Sequence, residues 1–190
     1  MNRIELLAHN YQRICGLPWD QHVDGSQRVW LAVYDKEDER RLRLRLGLFK
    51  EATEHTGHAW RHCDLTDAFA VWLTSLPYAA YAERYFASPQ LLGADPLNDF
   101  KHLVADRIIA ALTAADPAED TVVAVSGVAS LFGFVRVSEL LPLVEPCIRG
   151  RLLALFPGVY EENNYRLLDA RDGWNYRAVP ILALEGEGRP

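Results

Sequence analysis

Three short apolar runs constrain the fold of this chain more than any other feature. They are RVWLAVY (28–34), TVVAVS (121–126) and RLLALF (151–156), and each is bounded by polar or turn-forming residues. Runs of this length and composition predict strands that are buried on both faces. The stretches between them are long enough for helices, so we expect an α/β fold: a mainly parallel sheet flanked by helices on both faces.

Helical spacing of apolar residues predicts a first helix over 4–14, ended by Gly16 and Pro18. Residues 38–56 fit both an alternating strand and a helix face, and the length of this stretch favours a helix. Two short helices are expected over 65–76 and 79–86, split by Pro77, and 89–96 should be a loop. Later helices are expected over 97–115 and from Ser138, as a cap, to residue 144.

The remaining strands are less regular. Residues 58–64 suggest a polar second strand, and the strand over 151–156 should end at Pro157-Gly158. In the tail, 165–170 and 176–184 resemble two strands around Asp172-Gly173, which is a strong hairpin signal. We therefore expect a C-terminal β-hairpin at one edge of a single domain spanning residues 1–190.

Composition narrows the class of protein further. With 190 residues, 49% of them apolar, the chain can bury one sizeable core. A net charge of −6 argues against bulk nucleic-acid binding, which depends on a basic surplus. An odd number of widely spaced cysteines fits a reducing compartment, and neither a signal peptide nor a membrane span is indicated, so we expect a cytoplasmic protein without membrane association.

Several residues could carry chemistry at the carboxyl edge of the sheet. Asp35 and Asp64 each follow a strand and could together bind Mg²⁺ in a cryptic hydrolase, although capping of the next turn is the favoured interpretation. The turn from Ser126 to Gly133 lacks the lysine and the glycine spacing of a phosphate loop. We therefore expect an ordinary strand–helix turn and no bound cofactor.

Histidine and cysteine offer weaker candidates. His58, His62 and Cys63 suggest a metal cluster, but His62 and Cys63 should point to opposite faces of a strand, and no second cluster completes four ligands. Cys15 and Cys147 carry no recognisable catalytic signature. The sequence therefore predicts neither a catalytic nor a metal site.

Two arginine-rich stretches could contact a partner. Arg40, Arg41, Arg43 and Arg45 could touch nucleic acid, but the acids around them favour a self-paired helix face. The tail from Asn163 to Leu182 combines residue types that are enriched in interface hot spots. Its candidate partner-binding residues are Arg166, Asp169, Arg171, Asp172, Trp174, Asn175, Tyr176 and Arg177, and coverage of the sheet edge within the monomer is the equal alternative.

Four segments together resemble the BrxB family, a small component of the bacteriophage-exclusion (BREX) defence systems. They are RVWLAVYDKEDERRLRLRL (28–46), DLTDAF (64–69), SLFGFVRVSELL (130–141) and RGRLLALFPGVYEENNYRLLDARDGWNYRAVPI (149–181). The resemblance implies a non-catalytic accessory or scaffold subunit that binds other BREX proteins, PglZ first among them. It also implies a fold akin to nucleotide-binding α/β domains without their phosphate loop, and an indirect association with DNA through the complex.

Overall fold

The computed structural model describes residues 2–75, 79–171 and 173–184. Its helices are α1 (Arg3–Cys15), α2 (Glu39–Leu44), α3 (Leu46–His55), α4 (Ala68–Thr74), α5 (Ala79–Ala87), α6 (Ala94–Thr113) and α7 (Val137–Val144). Its strands are β1 (Val29–Tyr34), β2 (Ala59–Asp64), β3 (Thr121–Ser126), β4 (Arg151–Glu161), β5 (Asn164–Leu167), β6 (Trp174–Asn175) and β7 (Val179–Ile181). The predicted break at Pro77 lies outside the described residues.

The strands β2, β3, β4, β1 and β7 lie side by side in that order, and each neighbouring pair is parallel. The three apolar runs form the centre of this sheet, as β3, β4 and β1. The prediction of a mainly parallel sheet is confirmed. Among the described residues, no helix is long and apolar enough to span a membrane.

Helices cover both faces of the sheet and create two cores. Along β1, Val29, Leu31 and Val33 face a first core, which α4, α6 and α7 cover, while the alternate residues face a second core beneath α1 and α3. Side chains alternate across a strand, so a strand between two helical layers must be apolar at every position. Every residue of β1 and β3 is buried, which accounts for their uninterrupted apolar sequence.

Most helix predictions are confirmed, with corrections at the ends. The stretch 38–56 is helical, but Arg45 leaves helical geometry and divides it into α2 and α3. Helix α6 begins at Ala94, within the expected loop, because Pro96 is tolerated in a first turn where its missing N–H has no partner to lose. Helix α7 begins at Val137 after Arg136, so Ser138 lies inside the first turn and is not the cap.

The expected end of β4 at Pro157-Gly158 is wrong, since the strand continues to Glu161. Pro157 stands opposite the last residue of β1, and the pairing of β4 with β3 ends earlier, at Ala154. A missing N–H costs little at such a ladder end. Gly158 is required where β5 approaches, because a side chain there would overlap the carbonyl oxygen of Arg166.

Antiparallel pairing at the C-terminus is present, but its tight turn lies elsewhere than predicted. Strands β4 and β5 pair across Glu162 and Asn163, both of which have positive φ, as two-residue hairpin turns require. Strand β6 then pairs with β5, across a longer loop that includes Gly173. The predicted last strand, 176–184, is wrong for most of its length: only Val179–Ile181 is a strand, β7, and it extends the parallel sheet beside β1 instead of pairing in the hairpin.

Candidate binding groove

The crevice between the ends of β1 and β4 is where a parallel sheet of this kind would bind a ligand. The helices that follow β1 pack on the second core, whereas the chain after β4 packs on the first. Ligands of open α/β sheets usually lie where neighbouring strands lead to opposite faces in this way. This position is the natural first candidate for a functional site.

That crevice is covered by residues 164–170, which we call the cover segment. The backbone N–H of Leu168 donates to the carbonyl oxygen of Pro157 at 2.9 Å. Lys36, just beyond β1, forms an ion pair with Asp169 at 2.5 Å. Tyr165 of the cover segment is fully buried against the first core, and its hydroxyl donates to the carbonyl oxygen of Ala178. The chain itself therefore occupies the place of a ligand.

The strand order separates Asp35 from Asp64. Strands β3 and β4 lie between β2 and β1, so the two carboxylates are three strand spacings, roughly 14 Å, apart. Asp35 accepts a hydrogen bond from the N–H of Glu37, and Asp64 accepts two from Thr66, at 2.9 Å from the backbone N–H and 2.6 Å from the hydroxyl. The metal pair is wrong and the capping interpretation is confirmed.

A polar cluster at the ends of β2 and β3 was not foreseen from the sequence. His62 Nε2 lies 2.8 Å from the hydroxyl of Ser126, which also hydrogen-bonds to Asp64. Burial raises the pKa of the Asp64 carboxyl, but the hydrogen bonds from Thr66 and Ser126 outweigh burial and hold that pKa below its usual value. The parallel register that places Asp64 opposite Ser126 is the relevant signal, and it depends on knowing that β2 neighbours β3.

This cluster has the residue types of a Ser-His-Asp triad but not its connections. In a triad the carboxylate orients the histidine, which in turn activates the serine. Here the carboxylate contacts Ser126, and within the described chain no hydrogen bond joins Asp64 to His62. Burial lowers the pKa of His62, which favours its neutral form. The cluster therefore joins two strand ends, and its histidine lacks the carboxylate contact that orients the base of a triad.

The turn after β3 uses its polar groups internally. Gly127 has a φ of +75°, and a Cβ there would lie 2.5 Å from the backbone nitrogen of Thr66. The Ser130 hydroxyl donates to the carbonyl oxygens of Leu65 and Gly127, at 3.0 and 2.6 Å. The turn therefore packs against the end of β2 and does not open toward a phosphate.

His58, His62 and Cys63 do not come together. His58 hydrogen-bonds to Asp120 at 2.5 Å and stacks on the ring of Trp19, with 3.7 Å between ring centroids. Cys63 is buried in the first core, on the face opposite to His62. Among the described residues, no three His, Cys, Asp or Glu side chains are grouped so that they could hold a metal ion.

Of the four arginines between residues 40 and 45, three form ion pairs with acidic residues of this chain. Arg41 pairs with Asp38 at 2.9 Å, Arg43 with Glu39 at 2.7 Å, and Arg45 with Glu5. Arg40 is exposed and forms no ion pair with a described residue. The self-paired interpretation therefore fits most of this helix face.

A groove of about 490 Å³ lies between residues 132–138, which lead into α7, and residues 167–174 of the tail. We call it the arginine groove. Its two charged lining residues within the described chain are Arg136 and Arg171, both exposed. The rest of the lining is largely apolar: Phe132, Gly133, Phe134, Val135, Val137, Ser138, Leu167, Ala170, Gly173 and Trp174.

The structure brings two of the predicted partner-binding residues, Arg171 and Trp174, into this groove. The others lie outside its lining: Arg166 pairs with Glu161, Asp169 with Lys36, the Tyr176 hydroxyl donates to Glu145, Asn175 and Arg177 are exposed, and Asp172 lies outside the described residues. Sequence reasoning missed Phe132, Phe134 and Arg136 as partners of the tail. The pattern F-G-F-V-R, with two aromatics beside a glycine and then a cation, was the available signal.

Trp174 belongs to the core as well as to the groove. Its ring centroid lies 5.6 Å from that of Phe156 and 5.3 Å from that of Tyr165. Its Nε1 is buried and has no hydrogen-bond partner among the described residues. The side chain is half-buried, so its removal would disturb packing as well as any contact in the groove.

Comparison with known proteins finds no matching family model, no similar curated protein and no similar solved structure.

Proposed function

We propose that this chain is a non-catalytic accessory subunit of a cytoplasmic BREX phage-defence complex and that it binds other BREX proteins, PglZ first. The proposal starts from the resemblance of segments 28–46, 64–69, 130–141 and 149–181 to BrxB. The observation that carries it further is the surface on which two of those segments, 130–141 and 149–181, meet: the arginine groove.

Two features of the fold favour binding over catalysis. The crevice in which a related sheet would hold a ligand is filled by the cover segment. The groove beside it exposes arginine and aromatic side chains, the residue types that contribute most to protein interfaces. A subunit that assembles other proteins requires such a surface and does not require an activated nucleophile.

Co-expression with the neighbouring BREX genes, followed by purification through a tag on this chain, tests the proposal. PglZ should co-purify in a fixed ratio and remain bound at moderate salt. Recovery of this chain alone, across several salt concentrations and both tag positions, would contradict the proposal.

Direct contact with nucleic acid is the second candidate, motivated by the unpaired Arg40 on α2. Three neighbouring arginines are already paired and the net charge is −6, so we expect any DNA association to pass through the complex. Retention of DNA by a complex that carries Arg40→Glu should equal that of the unchanged complex. A clear loss of DNA retention would favour direct contact.

A further inference from the structure

The arginine groove contains two cations, Arg136 and Arg171, that have no ion-pair partner among the described residues. Nearby acids are engaged elsewhere: Glu139 pairs with Lys101 at 3.2 Å, and Asp169 pairs with Lys36. This chain carries more acidic than basic residues, so two unpaired arginines on one apolar groove are a local departure from its overall charge.

Apolar side chains surround these cations. Phe132 is 45% exposed, and Phe134 stacks on Phe69 of α4 with 4.0 Å between ring centroids, so one wall of the groove is anchored to the first core. Trp174 forms part of the opposite wall and packs on Phe156. Rigid aromatic walls bind an apolar side chain at low entropic cost, and guanidinium groups pair bidentately with carboxylates.

We propose that the arginine groove binds an acidic segment of a partner protein, with carboxylates on Arg136 and Arg171 and an apolar side chain between the aromatic walls. The proposal rests on the proposed function, since it describes the partner's chemistry. Charge complementarity identifies the occupant: two cations among apolar side chains fit a short peptide. A nucleic acid would require a longer basic track and would be repelled by the net charge of −6.

The test uses the full chain and a fluorescein-labelled synthetic peptide in which Asp and Glu residues flank a Phe-Leu pair. Fluorescence anisotropy should detect binding that weakens with salt. A peptide with Asn and Gln in place of the acids should bind much more weakly. In ¹⁵N-labelled protein, the indole resonance of Trp174, assigned with Trp174→Phe, should shift more on titration than those of the other tryptophans.

Charge reversal locates the site. Arg136→Glu and Arg171→Glu should each weaken peptide binding by about fivefold or more, because an attraction is replaced by a repulsion. Arg40→Glu makes the same charge change at an exposed, unpaired arginine on α2 and should leave binding unchanged. Equal loss in all three variants would overturn the proposal, because it would reduce the effect to net charge.

Other occupants of the groove give different results, and each would overturn the proposal. Tighter binding of a short single-stranded oligonucleotide than of the peptide would make the site a nucleic-acid contact. A dimer in sedimentation that Arg171→Glu dissociates would make a second copy the occupant.

The outcome for the groove is separable from the outcome for the proposed function. Co-purification of PglZ with both the unchanged chain and Arg136→Glu/Arg171→Glu, without peptide binding, would refute the groove and leave the subunit role standing. Peptide binding without co-purification of any BREX protein would refute the subunit role and leave the acidic-segment site.

Discussion

The ends of β2 and β3 are secured by the turns that directly follow these two strands, whereas the end of β1 is secured by the cover segment, which follows β4. Asp64 accepts hydrogen bonds from Thr66, two residues later. Lys36 reaches Asp169, 133 residues later, and the cover segment lies over the crevice between them. One half of the sheet's carboxyl edge is thus completed by two short turns that pack on each other, and the other by a longer segment that crosses from β4 to β1.

This difference explains why the two halves present different surfaces. Short turns leave the ends of β2 and β3 compact, with the Ser126 hydroxyl buried between His62 and Asp64. The cover segment continues into the tail, which forms a wall of the arginine groove. The arginine groove therefore depends on the same part of the chain that covers the ends of β1 and β4.

Gly158→Val should break the covered half and have the largest effect. A side chain at this position would overlap the carbonyl oxygen of Arg166, so β5 cannot pair and the burial of Tyr165 is lost. We expect the free energy of unfolding to fall by about 4 kcal/mol in chemical denaturation. Gly47→Ala is the control: no atom lies within 4 Å of the new Cβ in α3, and stability should rise by about 0.5 kcal/mol. If the denaturant concentration at the unfolding midpoint were the same for Gly158→Val and for the unchanged chain, the β4–β5 pairing would be contradicted.

Gly127→Ala should break the half of the edge formed by the turns after β2 and β3, with a smaller effect. The new Cβ would combine an unfavourable φ of +75° with a contact of 2.5 Å to the backbone nitrogen of Thr66. We expect a loss of about 3 kcal/mol in the free energy of unfolding. Gly57→Ala isolates the backbone strain, because its φ is +87° and nothing lies within 4 Å, so a loss of about 1 kcal/mol is expected there. Equal losses in the two variants would mean that the contact with Thr66 is unimportant.

Local features of the fold could be predicted because their causes are local. Apolar runs bounded by turn residues identified β1 and β3, and an aspartate at the end of a strand or directly after it identified the caps at Asp64 and Asp35. In each case the residues that determine the structure are within a few positions of it. Composition alone selected eight residues of the tail, of which two, Arg171 and Trp174, line the arginine groove.

Strand order and the course of the tail could not be predicted in this way. Nothing near Asp35 or Asp64 in the sequence shows that two strands lie between them, because the order is set by the packing of entire helical layers. Pro157-Gly158 would normally end a strand. Here Pro157 is tolerated because it lies at the end of the ladder with β1, and glycine is needed at 158 because β5 approaches too closely for a side chain. The wall of the groove from Phe132 to Arg136 was missed for the same reason, since it meets the tail only in the folded chain.

Tyr165→Phe measures one buried contact that holds the cover segment. The hydroxyl donates to the carbonyl oxygen of Ala178 at 3.0 Å, and both residues are buried, so the variant leaves an acceptor without its donor. We expect the free energy of unfolding to fall by about 1.5 kcal/mol. Tyr160→Phe removes an exposed hydroxyl, bonded to Asn163 at the same distance, and should cost less than about 0.5 kcal/mol. If Tyr160→Phe lowered the free energy of unfolding more than Tyr165→Phe, the hydrogen bond from Tyr165 to Ala178 would not be the contact that stabilises the cover segment.

Lys36→Met should have the smallest effect, although it removes the ion pair that joins β1 to the cover segment. Both side chains are largely exposed, at 45% for Lys36 and 76% for Asp169, so water and salt screen the attraction. We expect a loss of stability smaller than that of Tyr165→Phe, which shrinks as salt is added and is similar to that of Lys50→Met, whose partner Glu54 is also exposed. A loss larger than that of Tyr165→Phe that persists in salt would mean that the ion pair, and not burial of Tyr165, holds the cover segment in place. Hydrogen exchange at the Leu168 amide, which reports on the cover segment, separates the two explanations. If the ion pair holds the segment, exchange should rise as much in Lys36→Met as in Gly158→Val. If burial of Tyr165 holds it, exchange should rise in Gly158→Val alone.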